Sequence, residues 1–192
     1  LMGYPIEDTI DRHPVIVEEN VKWLKEIAKI TKETAAIVGF VEPRKYDHLT
    51  GKKYYNSVAI LQNGKIQGII RKSLLPTYSE FNDYRYIEPS PVVGNQPSDT
   101  LGHFDEDMVQ YCAKTNLINS QKYGISICED CWNNKEFFND TTLYSIDPID
   151  ELAQENPDVF INCSASPTRA KKEQLKHNML SFVAEKYSTP IV

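Results

Sequence analysis

The sequence predicts a mixed α/β sandwich, because helical and strand patterns alternate along the chain. Apolar residues recur at helical spacing in residues 14–34, with Lys and Glu on the opposite face. Two strand patterns, residues 54–61 and 65–70, are joined by Asn63-Gly64, the strongest short signal for a β-hairpin. A short apolar run, residues 125–127, ends abruptly at a cysteine followed by two acidic residues. The chain therefore combines a helix-on-sheet pattern with hairpins.

The first helical pattern predicts a face directed at a sheet. Its apolar positions, including three that widen the face, are Val17, Val21, Trp23, Leu24, Ile27, Ala28 and Ile30. The next run, residues 35–41, is almost wholly apolar and predicts a strand buried on both faces. The strand pattern over residues 65–70 is followed by Arg71-Lys72, so Lys72 is expected at a strand end.

The second half of the chain continues the alternation. It predicts a hairpin within residues 117–127, a short helix capped by Asp147, and a buried strand at residues 159–161. A helix is expected over residues 168–186, with an inward face made of Leu175, Met179, Phe182 and Val183. The last three residues predict the start of another strand. Residues 89–105 are rich in Pro and are expected to be mobile.

Composition limits the function classes. With 192 residues, 41% hydrophobic and 25% charged, the chain predicts one soluble globular domain over residues 1–192. The net charge of -6 and the absence of a basic run argue against a nucleic-acid partner. No apolar stretch reaches the roughly 18 residues of a membrane helix, and no signal-peptide pattern opens the chain. We therefore expect a cytoplasmic protein that contacts no membrane.

The four cysteines, Cys112, Cys128, Cys131 and Cys163, have no framework spacing and are expected to be reduced thiols. Cys128 and Cys131 nevertheless form a CxxC pair. A zinc site would need a second close pair or a histidine at ligand spacing, and the sequence offers neither. A thioredoxin-like pair is also disfavoured, because the intervening Glu-Asp would oppose a low thiol pKa. No metal is expected.

Cys128 has two interpretations. A thiol at a strand end faces substrate on one side, while turn amides on the other side can hold an oxyanion, as acyl transfer requires. A free cysteine is also commonly a buried structural residue. Glu7 follows a turn and Lys72 ends a strand, so a base, a cation and a nucleophile occur in the order Glu, Lys, Cys. Glu7 could equally be an ordinary acid in the first turn of a helix.

Several motifs carry a family resemblance. The three main ones are Leu1-Met2-Gly3-Tyr4-Pro5-Ile6-Glu7-Asp8, Arg71-Lys72-Ser73-Leu74-Leu75-Pro76-Thr77-Tyr78 and Gly124-Ile125-Ser126-Ile127-Cys128-Glu129-Asp130. They resemble the Glu, Lys and Cys motifs of the nitrilase (carbon-nitrogen hydrolase) superfamily. Two further motifs, Tyr84-Arg85-Tyr86-Ile87-Glu88-Pro89 and Asn162-Cys163-Ser164-Ala165-Ser166-Pro167, make the glutaminase domains of glutamine-dependent NAD synthetases the most similar branch.

The resemblance implies roles for particular residues. Glu7 would be the general base, Lys72 the oxyanion-stabilising cation and Cys128 the nucleophile. The positions that would hold or line the glutamine site are Tyr78, Trp132, Ser166 and Lys172. Arg169 or Lys171 could replace Lys172 in binding the substrate carboxylate. Glu80 falls near a second glutamate that positions the lysine in many superfamily members, although a surface acid is the alternative.

The resemblance also implies a fold and partners. The family fold is a four-layer α-β-β-α sandwich, of which this chain would be a part truncated at both ends. No Gly-rich pyrophosphate loop occurs in the sequence. ATP and Mg²⁺ would therefore belong to a synthetase half outside this chain, and the glutaminase step would need no cofactor. Glutamine would be the small-molecule substrate, and a homo-oligomer is expected.

The function predicted from the sequence is hydrolysis of the glutamine side-chain amide through a thioester, supplying ammonia to that synthetase half. Two alternatives stay open at this point. The first is a free-standing amidase of the nitrilase superfamily acting on another small amide. The second is a catalytically inactive interaction domain, against which an intact Glu-Lys-Cys set argues.

Overall fold

A computed structural model describes residues 1–44, 51–90, 109–111, 115–167 and 169–192. The described chain divides into two compact units, Leu1–Tyr111 and Cys112–Val192. Each unit combines helices with a sheet, so the predicted mixed α/β class is confirmed. Most of the segment predicted to be mobile, from residue 91 onwards, lies outside the described residues, as does Cys112.

The first unit is built around a sheet whose described strands have the order β1-β2-β3-β4. Its elements are α1 (Glu7–Arg12), α2 (Pro14–Ile30), β1 (Ala36–Pro43), β2 (Tyr54–Gln62), β3 (Lys65–Arg71), α3 (Asp83–Tyr86) and β4 (Val109–Tyr111). Neighbouring strands run antiparallel except for the parallel pair β3 and β4. In the turn between β2 and β3, Asn63 and Gly64 have φ of 54° and 76°, which is the left-handed backbone that a tight hairpin turn requires.

Helix α2 packs on this sheet through a narrower face than the sequence predicts. Val21, Leu24 and Ala28 are buried against residues of the sheet that include Phe40 and Ile69. By contrast, the exposed fractions of Trp23 and Ile30 are 58% and 77%, so their prediction as part of the buried face is wrong. A helix turns about 100° per residue, so Trp23 lies a quarter turn or more away from Leu24.

The second unit contains a sheet with the strand order β5-β6-β7. Its elements are β5 (Thr115–Ile118), β6 (Gln121–Ile127), a 3-10 turn (Cys128–Cys131), α4 (Pro148–Gln154), β7 (Val159–Cys163) and α5 (Lys172–Tyr187). Strands β5 and β6 form the predicted hairpin, while β6 and β7 run parallel. Ile191 forms a parallel bridge with Phe160, which confirms the predicted strand start near the last residues.

The helices of the second unit confirm most of their predicted features. Asp147 caps α4, because its Oδ1 accepts hydrogen bonds from the backbone N–H groups of Ile149 and Asp150. In α5, Met179 and Val183 are buried, whereas Leu175 is 42% exposed and was wrongly predicted to face inward. No helix within the described ranges is long and apolar enough to cross a membrane.

Candidate functional site

The chain turns sharply at Cys128, directly after strand β6. Cys128 has φ of 48°, a left-handed conformation that costs a residue with a side chain roughly 1–2 kcal/mol. The 3-10 turn that follows is fixed by Asp130, whose buried Oδ2 accepts a hydrogen bond of 3.0 Å from the backbone N–H of Ile127. Strained backbone of this kind recurs at functional sites. The strand end therefore presents the thiol of Cys128, which is half-buried.

The neighbouring strand β7 brings two polar residues to this turn. Ser166, which follows β7, has its Oγ 3.6 Å from the Cys128 Sγ. Asn162 lies opposite Ser126 in the parallel pairing of β6 and β7. Its Nδ2 donates to the Ser126 Oγ at 2.9 Å and to the Cys128 carbonyl oxygen at 3.4 Å. Asn162 thus holds the backbone of the turn, while Ser166 contacts the thiol itself.

Cys131 differs from Cys128 in burial and in chemistry. It is 1% exposed, and its thiol donates to the Cys128 carbonyl oxygen at 3.1 Å. Burial, reinforced by the nearby Cys128 and Asp130, raises the pKa of Cys131 well above its ordinary value. Burial also raises the pKa of Cys163 to about 11. Both therefore remain protonated thiols at neutral pH, and neither suits a nucleophile that acts as a thiolate.

Trp132 and Lys172 lie together in the same unit. Helix α5 begins at Lys172, and the Lys172 Nζ lies 5.8 Å from the centre of the Trp132 ring, within cation–π distance. Trp132 directly follows the 3-10 turn. These two sequence-predicted substrate residues therefore share one location. Their binding of a substrate carboxylate stays a prediction.

No cluster of His, Cys, Asp and Glu that could hold a metal ion occurs among the described residues. The acidic side chains of the turn have other contacts. Glu129 is buried, and its Oε1 accepts a hydrogen bond of 3.2 Å from the Tyr144 hydroxyl. The Asp130 carboxylate binds the Ile127 amide, as described above. Both acids between the two cysteines thus stabilise the turn.

Lys72 lies in the first unit, where β3 ends at Arg71. It is 2% exposed, and its Nζ lies 2.6 Å from the Asp83 Oδ2. Its backbone is fixed as well: the N–H donates to Asn56 at 2.8 Å, and the carbonyl oxygen accepts from the Ser90 N–H at 2.9 Å. A buried ammonium must be paired to remain charged. Asp83 meets that requirement.

The segment that carries Glu7 is tied to helix α3 on both sides of that residue. The Tyr4 hydroxyl donates to the Asp83 Oδ1 at 2.8 Å, and the Tyr86 hydroxyl donates to Asp8. The Tyr86 hydrogen bond lowers the pKa of Asp8 below its ordinary value. Glu7 itself is exposed, begins α1 and has φ of 32°. It is thus an acid in the first turn of a helix, and its role as a general base stays a prediction. Tyr4, three residues before it, is bound to Asp83, the partner of Lys72.

Tyr78 and Glu80 lie in the loop between β3 and α3. The Tyr78 ring is 40% exposed and contacts the buried Phe81 edge-on, with the ring centres 5.4 Å apart. Glu80 is half-buried in the same loop. The carboxylate that pairs with Lys72 is nevertheless that of Asp83, three positions further along. A supporting role for Glu80 stays a prediction.

The predicted site residues thus fall into two groups. Glu7, Lys72, Tyr78 and Glu80 belong to the unit Leu1–Tyr111, whereas Cys128, Trp132, Ser166 and Lys172 belong to the unit Cys112–Val192. Within the first unit Asp83 links Tyr4 to Lys72. Within the second, Ser166 contacts Cys128. The meeting of the Glu, Lys and Cys residues in one site stays a prediction.

Comparisons with known proteins bear on the family. No protein-family profile matches the chain. Over 195 aligned residues, which cover 100% of the chain, it is 29% identical to the glutamine-dependent NAD(+) synthetase of Synechocystis sp. and covers 31% of that relative. The structure of the glutamine-dependent NAD+ synthetase from Acinetobacter baumannii matches 99% of this chain with a TM-score of 0.70 and 26% identity, and the match covers 29% of that chain.

A third comparison concerns the fold alone. An amidase of the nitrilase superfamily from Nesterenkonia matches 98% of this chain and 59% of its own length, with a TM-score of 0.61 and 12% identity. The resemblance to glutamine-dependent NAD synthetases is confirmed by the two comparisons above. The nitrilase-like α/β class of the fold is confirmed with it. The chain spans less than a third of the length of the synthetases that it matches, so their whole activity does not transfer to it directly.

Asp83 is the residue beside Lys72 that the sequence did not predict, and its replacement is expected to destabilise the fold. Asp83→Ala would leave the buried Lys72 ammonium without its carboxylate, and loss of one partner of a buried pair costs about 3–5 kcal/mol. We expect the free energy of unfolding, measured by urea denaturation, to fall by about that amount.

The matched control is Asp11→Ala, at an exposed position of α1. It removes a carboxylate of the same size from the surface and is expected to change the unfolding free energy by less than about 0.5 kcal/mol. Asp83→Asn, which keeps an acceptor for Tyr4, should lie between the two. Equal stability of the two alanine variants would show that Lys72 does not depend on Asp83.

Proposed function

We propose that this chain hydrolyses the side-chain amide of glutamine and supplies ammonia to an NAD synthetase segment of a longer protein. The observation that carries the proposal is the strained turn at Cys128, with the Ser166 hydroxyl 3.6 Å from the thiol. The synthetases to which the chain is similar are named glutamine-dependent, and a cysteine in such a turn suits acyl transfer from an amide.

In this proposal the Cys128 sulfur attacks the amide carbon of glutamine. Glu7 takes the thiol proton as general base and returns it to the departing nitrogen, which leaves as ammonia. The acyl group remains on Cys128 as a thioester. Glu7 then takes a proton from water, the hydroxide attacks the thioester, and glutamate leaves as the free thiol re-forms.

Lys72 supplies the positive charge for the tetrahedral oxyanion. A buried ammonium held by one carboxylate is fixed in position before the reaction, so no reorganisation is needed when the negative charge develops. Asp83 holds the lysine in place, and the Tyr4 hydroxyl donates to the other Asp83 oxygen. An ammonium has three N–H groups, so Lys72 can bind Asp83 and still donate to an oxyanion.

Recognition of glutamine needs polar groups at both ends of the substrate. We assign Ser166 to the amide end, because its Oγ contacts the nucleophile. Lys172, beside the Trp132 ring, is assigned to the α-carboxylate. Tyr78, which is 40% exposed, is assigned a further substrate contact.

The proposal extends to partners and compartment. The glutaminase step needs no cofactor, and ATP and Mg²⁺ would serve the synthetase segment that consumes the ammonia. We also propose a homo-oligomer and a cytoplasmic location, where thiols such as Cys128 stay reduced.

The substrate prediction is tested by comparing ammonia release from glutamine and from butyramide, an amide of similar reach without the two charges. Sites built for polar groups can reject analogues that lack them by on the order of 10⁴-fold. We expect kcat/KM for glutamine to exceed that for butyramide by at least about 10²-fold. Cys128→Ala serves as the blank for non-enzymatic release.

Two outcomes would favour the alternatives. Equal or faster turnover of butyramide would identify a general amidase of the nitrilase superfamily. Absence of turnover with both amides, in a folded protein whose Cys128 thiol is free by titration, would identify an inactive interaction domain.

A further inference from the structure

The turn at the nucleophile contains a second thiol that amide hydrolysis does not require. Cys128 begins the 3-10 turn and Cys131 ends it. In a 3-10 helix residues three apart lie one above the other, with a rise of about 6 Å over the three steps. Disulfide-bonded cysteines have Cα separations of roughly 4.4–6.8 Å. A 3-10 turn therefore places its first and fourth residues, here Cys128 and Cys131, at a separation that a disulfide can bridge.

The position of the Cys131 sulfur supports the same conclusion. Its Sγ lies 3.1 Å from the Cys128 carbonyl oxygen, so the thiol is directed at the residue that carries the nucleophile. The two intervening acids do not lie between the thiols as free charges. Glu129 accepts from Tyr144, and Asp130 accepts from the Ile127 amide. These contacts would keep the turn intact while the two sulfurs join.

The two thiols differ in their access to an oxidant. Cys128 is half-buried and Cys131 is 1% exposed, so a small oxidant in solution reaches Cys128 first. Burial also raises the pKa of Cys131, which keeps it in the less reactive thiol form. Cys128 is thus the thiol that is oxidised first, and Cys131 remains a reduced thiol in the same turn.

We propose that Cys131 is the resolving thiol of Cys128, so that peroxide converts the pair into a Cys128–Cys131 disulfide. In the first step the Cys128 thiolate attacks hydrogen peroxide: the O–O bond breaks, an S–O bond forms, and hydroxide leaves. In the second step the Cys131 sulfur attacks the sulfenic sulfur of Cys128, so that an S–S bond forms and the S–O bond breaks. The leaving hydroxide takes the Cys131 proton and becomes water.

The disulfide has a consequence for the activity of the site. The nucleophile is masked, so glutamine hydrolysis stops, and a dithiol restores it by reducing the bridge. The bridge also prevents further oxidation of Cys128 to the sulfinic acid, which a dithiol cannot reverse. This consequence rests on the proposed function, whereas the oxidation chemistry itself does not.

Peptide mapping tests the bridge directly. Trypsin cleaves after Lys122 and Lys135, so residues 123–135 form one peptide that contains Cys128 and Cys131 and no other cysteine. Cys163 falls in the next peptide, residues 136–169. After hydrogen peroxide and blocking of free thiols with iodoacetamide, we expect the first peptide to lose two hydrogen atoms in mass and to carry no alkyl group.

Two variants test whether Cys131 is the thiol that joins Cys128. In Cys131→Ser, the same treatment should leave Cys128 as a sulfinic acid that dithiothreitol does not reverse. Cys163→Ser is the matched control, because Cys163 is also a free thiol and lies opposite Ile127 in the pairing of β6 and β7. This variant should form the Cys128–Cys131 bridge as the unmodified protein does.

Three results would overturn the proposal. They are a bridge between the two tryptic peptides, sulfinic acid on Cys128 in the unmodified protein, and equal recovery in dithiothreitol with and without Cys131. The mapping needs no variant and no substrate. A mapped bridge in a protein that never hydrolyses glutamine would sustain this proposal and reject the proposed function, while normal turnover without a bridge would do the reverse.

Discussion

Replacing Cys128 by alanine is expected to abolish ammonia release from glutamine, with a loss in kcat on the order of 10⁴-fold or more. The alanine removes the atom that forms the thioester, and no neighbour can replace it. Cys131 is buried with a raised pKa, and the Ser166 hydroxyl has no activating base among its described contacts. The fold should tolerate the change, because the Cys128 side chain has a single described polar contact.

Cys131→Ser provides the control from the same turn. In dithiothreitol, where no disulfide forms, this variant should retain most of the activity, because the serine hydroxyl can still donate to the Cys128 carbonyl oxygen. Ammonia release is measured for both variants under single-turnover and steady-state conditions. If both substitutions abolished turnover in reductant, the two thiols would act together, and Cys128 alone could not be the nucleophile.

The fold was predictable where local chemistry decides it. The Asn63-Gly64 turn and the Asp147 cap depend on residues within a few positions of each other, and both occur as predicted. The exposed Trp23 and Leu175 were not predictable in this way. Apolar periodicity shows that a residue lies on the apolar side of a helix, but the width of the buried face is set by the sheet beneath it.

The sequence motifs identified the candidate site residues, but they did not predict which side chains these residues contact. A cysteine after a buried strand predicted the sharp turn that the φ of Cys128 shows. The partner of Lys72 was missed, because two acids, Glu80 and Asp83, lie close in sequence. The loop between β3 and α3 turns at Tyr78 and Ser79, and α3 then begins at Asp83. This path of the chain places Asp83, and not Glu80, beside the lysine, and no sequence pattern reveals it.

Arg71, which precedes Lys72, also has a partner that the sequence does not predict. Its guanidinium forms two hydrogen bonds with Glu42, at 2.9 and 2.5 Å, and Ser57 also donates to that carboxylate. The partners are 29 residues apart in sequence, so no local pattern pairs them. The result is that two adjacent cations, Arg71 and Lys72, each have a separate buried carboxylate.

The second large effect is expected at Lys72. Lys72→Met removes the charge that stabilises the oxyanion, and loss of one such donor lowers kcat by about 10²–10³-fold. The substitution also destabilises the fold, because the Asp83 carboxylate would then be buried without its cation, at a cost of about 3–5 kcal/mol.

A double variant separates the two effects. Lys72→Met with Asp83→Asn removes both charges, so the stability lost in the single variant should be largely recovered, since replacing both partners is far less costly than orphaning one. Activity should remain as low as in Lys72→Met alone. Recovery of activity together with stability would show that the lysine acts through folding and not on the reaction.

Lys72→Arg tests whether charge by itself is sufficient. The guanidinium can still pair with Asp83, but it is larger and planar, and the lysine side chain is only 1% exposed. Overpacking of a filled site costs about 1–3 kcal/mol and moves the charge away from the position of the ammonium. We expect kcat for glutamine to fall about as far as in Lys72→Met, with a smaller loss of stability. Turnover near that of the unmodified protein would mean that a positive charge in the region suffices, and the fixed Lys72–Asp83 geometry would then have no part in stabilising the oxyanion.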